Sequence, residues 1–164
     1  MGPKKKSGST SAIFMRKKMI KYIFTLSTLL DSKSGARRKY SPETIISGIF
    51  DQDLSEVDWI LALGEIELIY GVEVPKELYD CLDLSLGEYA YELSQLPVIS
   101  DELYPVFYDI KVESMRLTKR FIELEAKTDV ASLNEKKNIN KGFDELTMRL
   151  NLLLEYDNKN YLMN

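Results

Sequence analysis

Apolar residues recur every three or four positions in two long stretches of the first half of the chain. In the first stretch they are Met19, Ile23, Leu26 and Leu30, with Ile20 and Phe24 beside them, and in the second they are Val57, Ile60, Leu63, Ile66 and Tyr70. This spacing places each set on one face of an α-helix. It predicts one helix over about 13–30 and another over about 55–69, and their buried faces are expected to meet.

Cap and turn residues predict two shorter helices around the second stretch. Segment 41–50 opens with serine and proline, which suit the cap and the first turn of a helix. Gly71 permits a tight exit from the long helix, and Pro75 holds the residue before it extended. Ser85 is placed to cap a further helix over 85–93.

The last third of the chain carries two seams spaced alternately by three and four residues. The first is Leu103, Phe107, Ile110, Ser114, Leu117, Phe121 and Leu124, and the second is Ile139, Phe143, Leu146, Leu150 and Leu153. Two such helices joined by a short polar connection predict an antiparallel helical hairpin. Leu152 and Leu154 lie beside the second seam, which leaves apolar surface for another domain or a second copy of the chain.

Two linked pieces of this pattern resemble the acyl carrier proteins of fatty-acid and polyketide synthesis. The acidic second helix of that family ends in a hydrophobic, acidic, hydrophobic, proline sequence, here Val72-Glu73-Val74-Pro75. Its last helix commonly opens like Ser85-Leu86-Gly87-Glu88-Tyr89-Ala90. The resemblance covers roughly 15–96. It implies an all-α fold, an acyl-carrier-protein-like helical bundle, followed here by the C-terminal helical hairpin.

The chain departs from the family at the attachment site. Carrier proteins bear 4'-phosphopantetheine on a serine at the start of the second helix, but aligning back from Pro75 places Glu56 there, and aligning forward from Asp53 places Asp58 there. Ser55 is the nearby hydroxyl, one residue out of register. It has two interpretations: an N-cap completed by Asp58 in an S-x-x-D pattern, or the serine that carries the cofactor.

Composition narrows the possible functions. Hydrophobic residues make up 45% and charged residues 29%, which is typical of a globular protein. The net charge of -4 argues against a general nucleic-acid binder. The chain has no histidine and one cysteine, Cys81, so the usual general base is missing, an intrachain disulfide is impossible and a metal cluster is improbable. We therefore expect a non-catalytic, cytoplasmic protein with no bound metal.

Acidic residues concentrate on the predicted second helix. Glu56, Asp58, Glu65 and Glu67, together with Trp59, form the predicted partner-binding set, because carrier-like proteins present an acidic face to basic patches on their partner enzymes. The alternative is an ordinary solvated helix face.

The N-terminal region has several interpretations. Residues 1–11 are rich in lysine, glycine and serine, so they predict a flexible leader or an expression remnant. If Met15 were the native start, the charged and then apolar residues after it would resemble a secretory signal, although a core helix fits better. The basic segment 37–39 is predicted to be a solvated loop. No apolar run is long enough to span a bilayer.

Two hypotheses follow for a chain divided into 1–11, 12–98 and 99–164. In the first, a carrier-like interaction module has lost its phosphopantetheine arm and binds a partner protein, such as an acyl-transferring or synthase enzyme, through the acidic helix, the hairpin or both. The hairpin is also the candidate surface for a homodimer. In the second, a functional acyl carrier protein bears 4'-phosphopantetheine on Ser55 and tethers acyl intermediates.

Overall fold

Helices account for all the regular secondary structure that can be described. The computed structural model describes residues 2–34, 40–50 and 54–163, with side chains over 16–34, 40–50 and 54–159. In those ranges it contains seven helices and no strand, which confirms the all-α class for the described residues. The basic segment 37–39 and the acids at 51 and 53 lie outside them. The helices are α1 (Gly2–Ser34), α2 (Ile46–Phe50), α3 (Glu56–Tyr70), α4 (Lys76–Tyr79), α5 (Leu86–Ser94), α6 (Tyr104–Leu124) and α7 (Val130–Met163).

The helices belong to two compact units. The first comprises Met1–Ile66 and Val72–Pro97, and the second comprises Glu67–Gly71 and Val98–Asn164. The end of α3 is therefore part of the second unit, whereas the predicted division at 98 assigned all of α3 to the first. Gly71 ends α3 with a positive φ of 65°, the conformation that its predicted role as a tight exit requires.

The first helix is longer than the sequence predicted. It begins at Gly2, so residues 2–11 are helical and differ from the predicted flexible leader. Pro3 lies in the first turn, where its missing N–H breaks no helical hydrogen bond. Once the apolar segment from Ile13 onward has formed, each added residue gains one hydrogen bond without a new nucleation cost.

The core of the first unit lies between α1 and α5, which pack together. Tyr22, Leu26 and Leu30 are fully buried on α1, and they face a set on α5 whose members are also fully buried: Leu86, Tyr89, Ala90 and Leu93. The Ser85 hydroxyl accepts a hydrogen bond from the backbone N–H of Glu88, so its predicted role as a cap is confirmed.

The buried face of α3 is rotated from the predicted one. Leu63 and Ile66 are fully buried as predicted, but Ile60 is 43% exposed and the residues that join the core are Trp59 and Ala62. Apolar residues fill six successive positions of this helix, 59–64 with Gly64 included, so its spacing fits more than one face. The indole decides between them, because it is the largest apolar group that the helix can bury.

The start of α5 is fixed by the segment that precedes α2. Gly87 N–H donates to the Pro42 carbonyl at 2.9 Å, and Ile46 N–H donates to the Leu84 carbonyl at 3.0 Å. A Cβ at Gly87 would lie 3.1 Å from the Pro42 oxygen, tighter than an ordinary contact, so this close approach favours glycine. The predicted helix from Ser41 is wrong over its first half. Residues 42–45 form a turn and pair with the segment before α5, and α2 begins only at Ile46.

In the second unit, α6 and α7 pack along one apolar core. The core contains seven buried residues of the two seams together with Ile99, and four further seam residues pack against it half-buried. Arg120 pairs with Glu135, and Leu117 lies beside Gly142, so the two helices run in opposite directions. A Cβ at Gly142 would lie 3.0 Å from Leu117 Cδ1, which makes this glycine a point of close helix approach.

Candidate functional site

Ser55 lies at the N-terminus of α3 and acts there as a cap. Its hydroxyl accepts from the backbone N–H of Asp58 at 3.2 Å and donates to the Asp58 carboxylate at 2.8 Å. The carboxylate in turn accepts from the backbone N–H of Ser55 at 3.2 Å. This reciprocal arrangement satisfies two backbone donors that the first turn would leave without a partner. The predicted S-x-x-D cap is confirmed, and Ser55 itself is exposed.

The acids of the predicted partner-binding set lie in different environments. Glu56 is exposed, and Asp58 is half-buried in the cap just described. Glu65 accepts from Lys33 of α1, with Nζ and Oε1 3.4 Å apart. The exposed acidic surface of α3 is therefore confined mainly to its first turn, beside Ser55.

Trp59 belongs to the core of the first unit and is only 3% exposed. Its ring meets the rings of Tyr89 and Phe50 edge-on, with centroids 5.1 and 5.9 Å away. Its Nε1–H donates to the Tyr79 carbonyl at 3.3 Å. A side chain held on both its apolar and polar sides is not available to a partner, so the structure removes Trp59 from the partner-binding set.

Glu67 is also buried, and it forms an ion pair in the second unit. The Lys111 Nζ donates to its Oε2 at 2.7 Å, and the two side chains are 11% and 3% exposed, respectively. The same ammonium lies 5.7 Å from the centroid of the Phe107 ring. Sequence reasoning placed Glu67 on an exposed acidic face, which the structure corrects. Because Lys111 follows 44 residues later, helical spacing gave no signal for this pair.

One exposed apolar surface lies on α7, on the side turned away from the α6 seam. Met148, Leu152 and Tyr156 follow one another at one-turn intervals and are 65%, 62% and 55% exposed. Exposed charged residues flank them, and we call the whole set the outer face of α7: Glu145, Met148, Arg149, Leu152, Glu155, Tyr156 and Lys159. The sequence analysis noted only Leu152 and the neighbouring Leu154 here. A second set spaced by four, opposite the seam, is the signal that could have found Met148 and Tyr156.

An ion pair joins α6 and α7 at their connected end, and a cap closes the first turn of α7. Arg120 donates in a fork to both oxygens of Glu135, at 2.6 and 3.0 Å, and this lowers the pKa of Glu135 below its usual range. The hydroxyl and the backbone N–H of Ser132 donate to Asp129 at 2.6 and 3.1 Å and lower the pKa of that carboxyl. Both carboxylates are therefore favoured in the ionised form.

The remaining features of the described residues concern a groove on the first unit, metal binding and membrane crossing. An open groove of about 350 Å³ lies along α5, lined by Met19, Leu84, Gly87, Glu88, Tyr91 and Glu92. Among the described residues, no group of three or more acidic, histidine or cysteine side chains could hold a metal ion. No helix in the part of the chain searched is both long and apolar enough to cross a membrane.

Comparisons with known proteins add no relative. No family model matches the chain, and neither a curated protein nor a solved structure matches it. The resemblance to acyl carrier proteins therefore depends only on the residues quoted for it.

Proposed function

We propose that this chain is a non-catalytic, carrier-like interaction module that pairs with a second copy of itself through the outer face of α7. The observation that supports this most directly is the row formed by Met148, Leu152 and Tyr156. These side chains are large, apolar and mostly exposed, although α7 already buries its seam against α6. A helix that is apolar on two faces can bury both of them only by packing against two partners.

The charges on this face favour a second copy over other partners. If two α7 helices cross in opposite directions about Leu152, each position meets the one equally far on the other side of Leu152. Met148 then meets Tyr156, Arg149 meets Glu155, and Glu145 meets Lys159, so both charged contacts join opposite signs. At 100° per residue, all seven residues lie within about 60° of Leu152 on the helix circumference.

The first experiment measures the oligomeric state of the full chain by light scattering after size exclusion. We expect a mass about twice the 18.9 kDa of the single chain. L152E brings two like charges together at the centre of the pair and should weaken it by about 100-fold or more. N151E adds the same charge about 100° away, outside the outer face, and serves as the matched control. A parent chain that is monomeric at about 100 µM would refute the proposal.

Charge inversion tests the register of the pair. E145K/R149E keeps opposite charges one turn apart within its own helix, but in a dimer of this variant like charges would face each other across the two helices. E155K/K159E, made in a separate chain, has the same two effects. Each variant alone should be monomeric, whereas an equimolar mixture should form a heterodimer in which every charged contact again joins opposite signs. A mixture that stays monomeric, or variants that dimerise like the parent, would contradict this register.

A working acyl carrier protein remains the second candidate, because Ser55 is exposed at the helix start where the family bears its cofactor. The capping hydrogen bonds disfavour attachment of the arm, because the phosphodiester would replace the Ser55 hydroxyl proton that is donated to Asp58. We expect the intact mass to stay at the apo value after co-expression with a phosphopantetheinyl transferase. A gain equal to the arm that disappears in S55A would establish the carrier function instead.

A further inference from the structure

A second exposed apolar surface lies on α1, within the first unit. Ile20 and Phe24, one turn apart, are 59% and 73% exposed. They lie on the other side of the helix from Tyr22, Leu26 and Leu30, which form its buried face. The residues around them are also exposed, and together they form what we call the basic-apolar face: Arg16, Lys17, Ile20, Lys21, Phe24 and Thr28.

The charge of α1 is opposite in sign to that of the chain as a whole. Residues 2–34 contain eight lysines and arginines and one acidic residue, Asp31, whereas the whole chain has 22 basic and 26 acidic residues. Around the helix, Arg16 lies on one side of Ile20 and Phe24, and Lys17 lies on the other. Basic side chains therefore border a narrow apolar strip.

We infer that the basic-apolar face binds an anionic lipid surface, with α1 lying in the plane of the interface. Phe24 and Ile20 would enter the boundary between headgroups and acyl chains, and Arg16 and Lys17 would reach outward to lipid phosphates. The face opposite the membrane is already packed against α5, so binding needs no unfolding of the first unit. A nucleic acid would bind the same basic side chains through its phosphates, but phosphate binding does not account for the two exposed apolar side chains between them.

The test measures co-sedimentation of the full chain with lipid vesicles. We expect binding to vesicles of three parts phosphatidylcholine to one part phosphatidylserine to exceed binding to pure phosphatidylcholine by about tenfold or more. At about 1 M salt, where charges are screened within about 3 Å, most of that difference should vanish. Equal binding to both vesicle types, or binding to neither, would overturn the inference.

Two pairs of variants separate the roles of charge and apolar insertion. R16E/K17E and I20S/F24S should each lower binding by about tenfold or more. Their matched controls on α7, K137E/K141E and V130S/L133S, make the same kinds of change at exposed positions that lie outside the outer face of α7, and both should bind like the parent. Circular dichroism confirms that each variant is folded.

Three outcomes would refute this assignment. If I20S/F24S binds vesicles as the parent does, the face only adsorbs through charge and inserts nothing. If changing Lys4, Lys5 and Lys6 to glutamine abolishes binding while R16E/K17E does not, the lipid contact belongs to the N-terminal lysines. If the chain binds duplex DNA in a salt-dependent manner but not the anionic vesicles, the ligand is a nucleic acid.

Discussion

The buried ion pair between Glu67 and Lys111 allows a quantitative test of the second unit. Taking both groups out of water is costly, and their attraction offsets that cost only while both are present. K111M leaves a carboxylate that is 3% exposed without its cation, so we expect a loss of about 3 kcal/mol in the free energy of unfolding. E67M leaves an ammonium on a long stem that can reach toward water, so the loss should be smaller, about 2 kcal/mol.

The double variant decides whether the ion pair itself is responsible. E67M/K111M replaces both charges with apolar groups of similar length, and position 111 lies over the buried Phe107 ring. It should unfold within about 1 kcal/mol of the parent, which corresponds to a coupling energy of about 4 kcal/mol in the double-mutant cycle. Removing both charges should therefore be less damaging than removing either one alone.

Urea unfolding followed by far-ultraviolet circular dichroism measures all three variants. The control is E113Q, which removes the same kind of charge from the exposed pair of Glu113 and Arg116 and should leave the unfolding midpoint unchanged. Single variants that each cost under about 1 kcal/mol, with effects that simply add, would show that this pair is solvated in solution.

Three further predictions concern helix ends and helix contacts. The pKa of Asp129 is lower in the folded chain than in the unfolded chain, where it is near 4. The ionised carboxylate therefore stabilises the fold above about pH 4, and this stabilisation is lost as the pH falls through the folded pKa. The difference in urea midpoint between the parent and D129N should shrink from pH 6 to pH 2.5. G142A should fail to gain the roughly 1 kcal/mol of helix propensity, since the new methyl would meet Leu117, whereas Gly48 has open space and G48A should raise the melting temperature. S55A should lower the free energy of unfolding by about 1 kcal/mol, and S55D, which keeps a capping acceptor, should recover part of it.

Sequence spacing identified faces well where apolar and polar residues alternate clearly. In α6 and α7 charged residues separate the large apolar residues of each seam, so the spacing indicates one face for the contact between the two helices, and the buried apolar residues of both helices coincide with the predicted seams. In α3 the middle of the helix, 59–63, is an unbroken apolar run. Spacing alone therefore allowed Ile60 into the core, where the structure has Trp59 instead.

The chemistry of α3 was harder to predict than its helical state. The cap of Ser55 by Asp58 is local, and a three-residue pattern was enough to find it. The burial of Glu67 depends on a lysine that only the folded chain brings near. Helix α4 was also missed, because Pro75 indicates a stop for the residues before it and yet serves as the N-cap of the next helix. Contacts distant in sequence leave no periodic signal.

The two proposals have a common physical basis. A surface helix of a globular protein is ordinarily apolar on one face and polar on the other. Helix α1 buries Tyr22, Leu26 and Leu30 and still exposes Phe24, while α7 buries its seam and still exposes Leu152. Leaving such side chains in water forgoes about 25 cal/mol for each Å² that a partner could cover. The charges that flank the two surfaces differ: they are all basic on α1, whereas α7 carries both signs in matched positions. We therefore assign an anionic lipid surface to α1 and a second copy of the chain to α7.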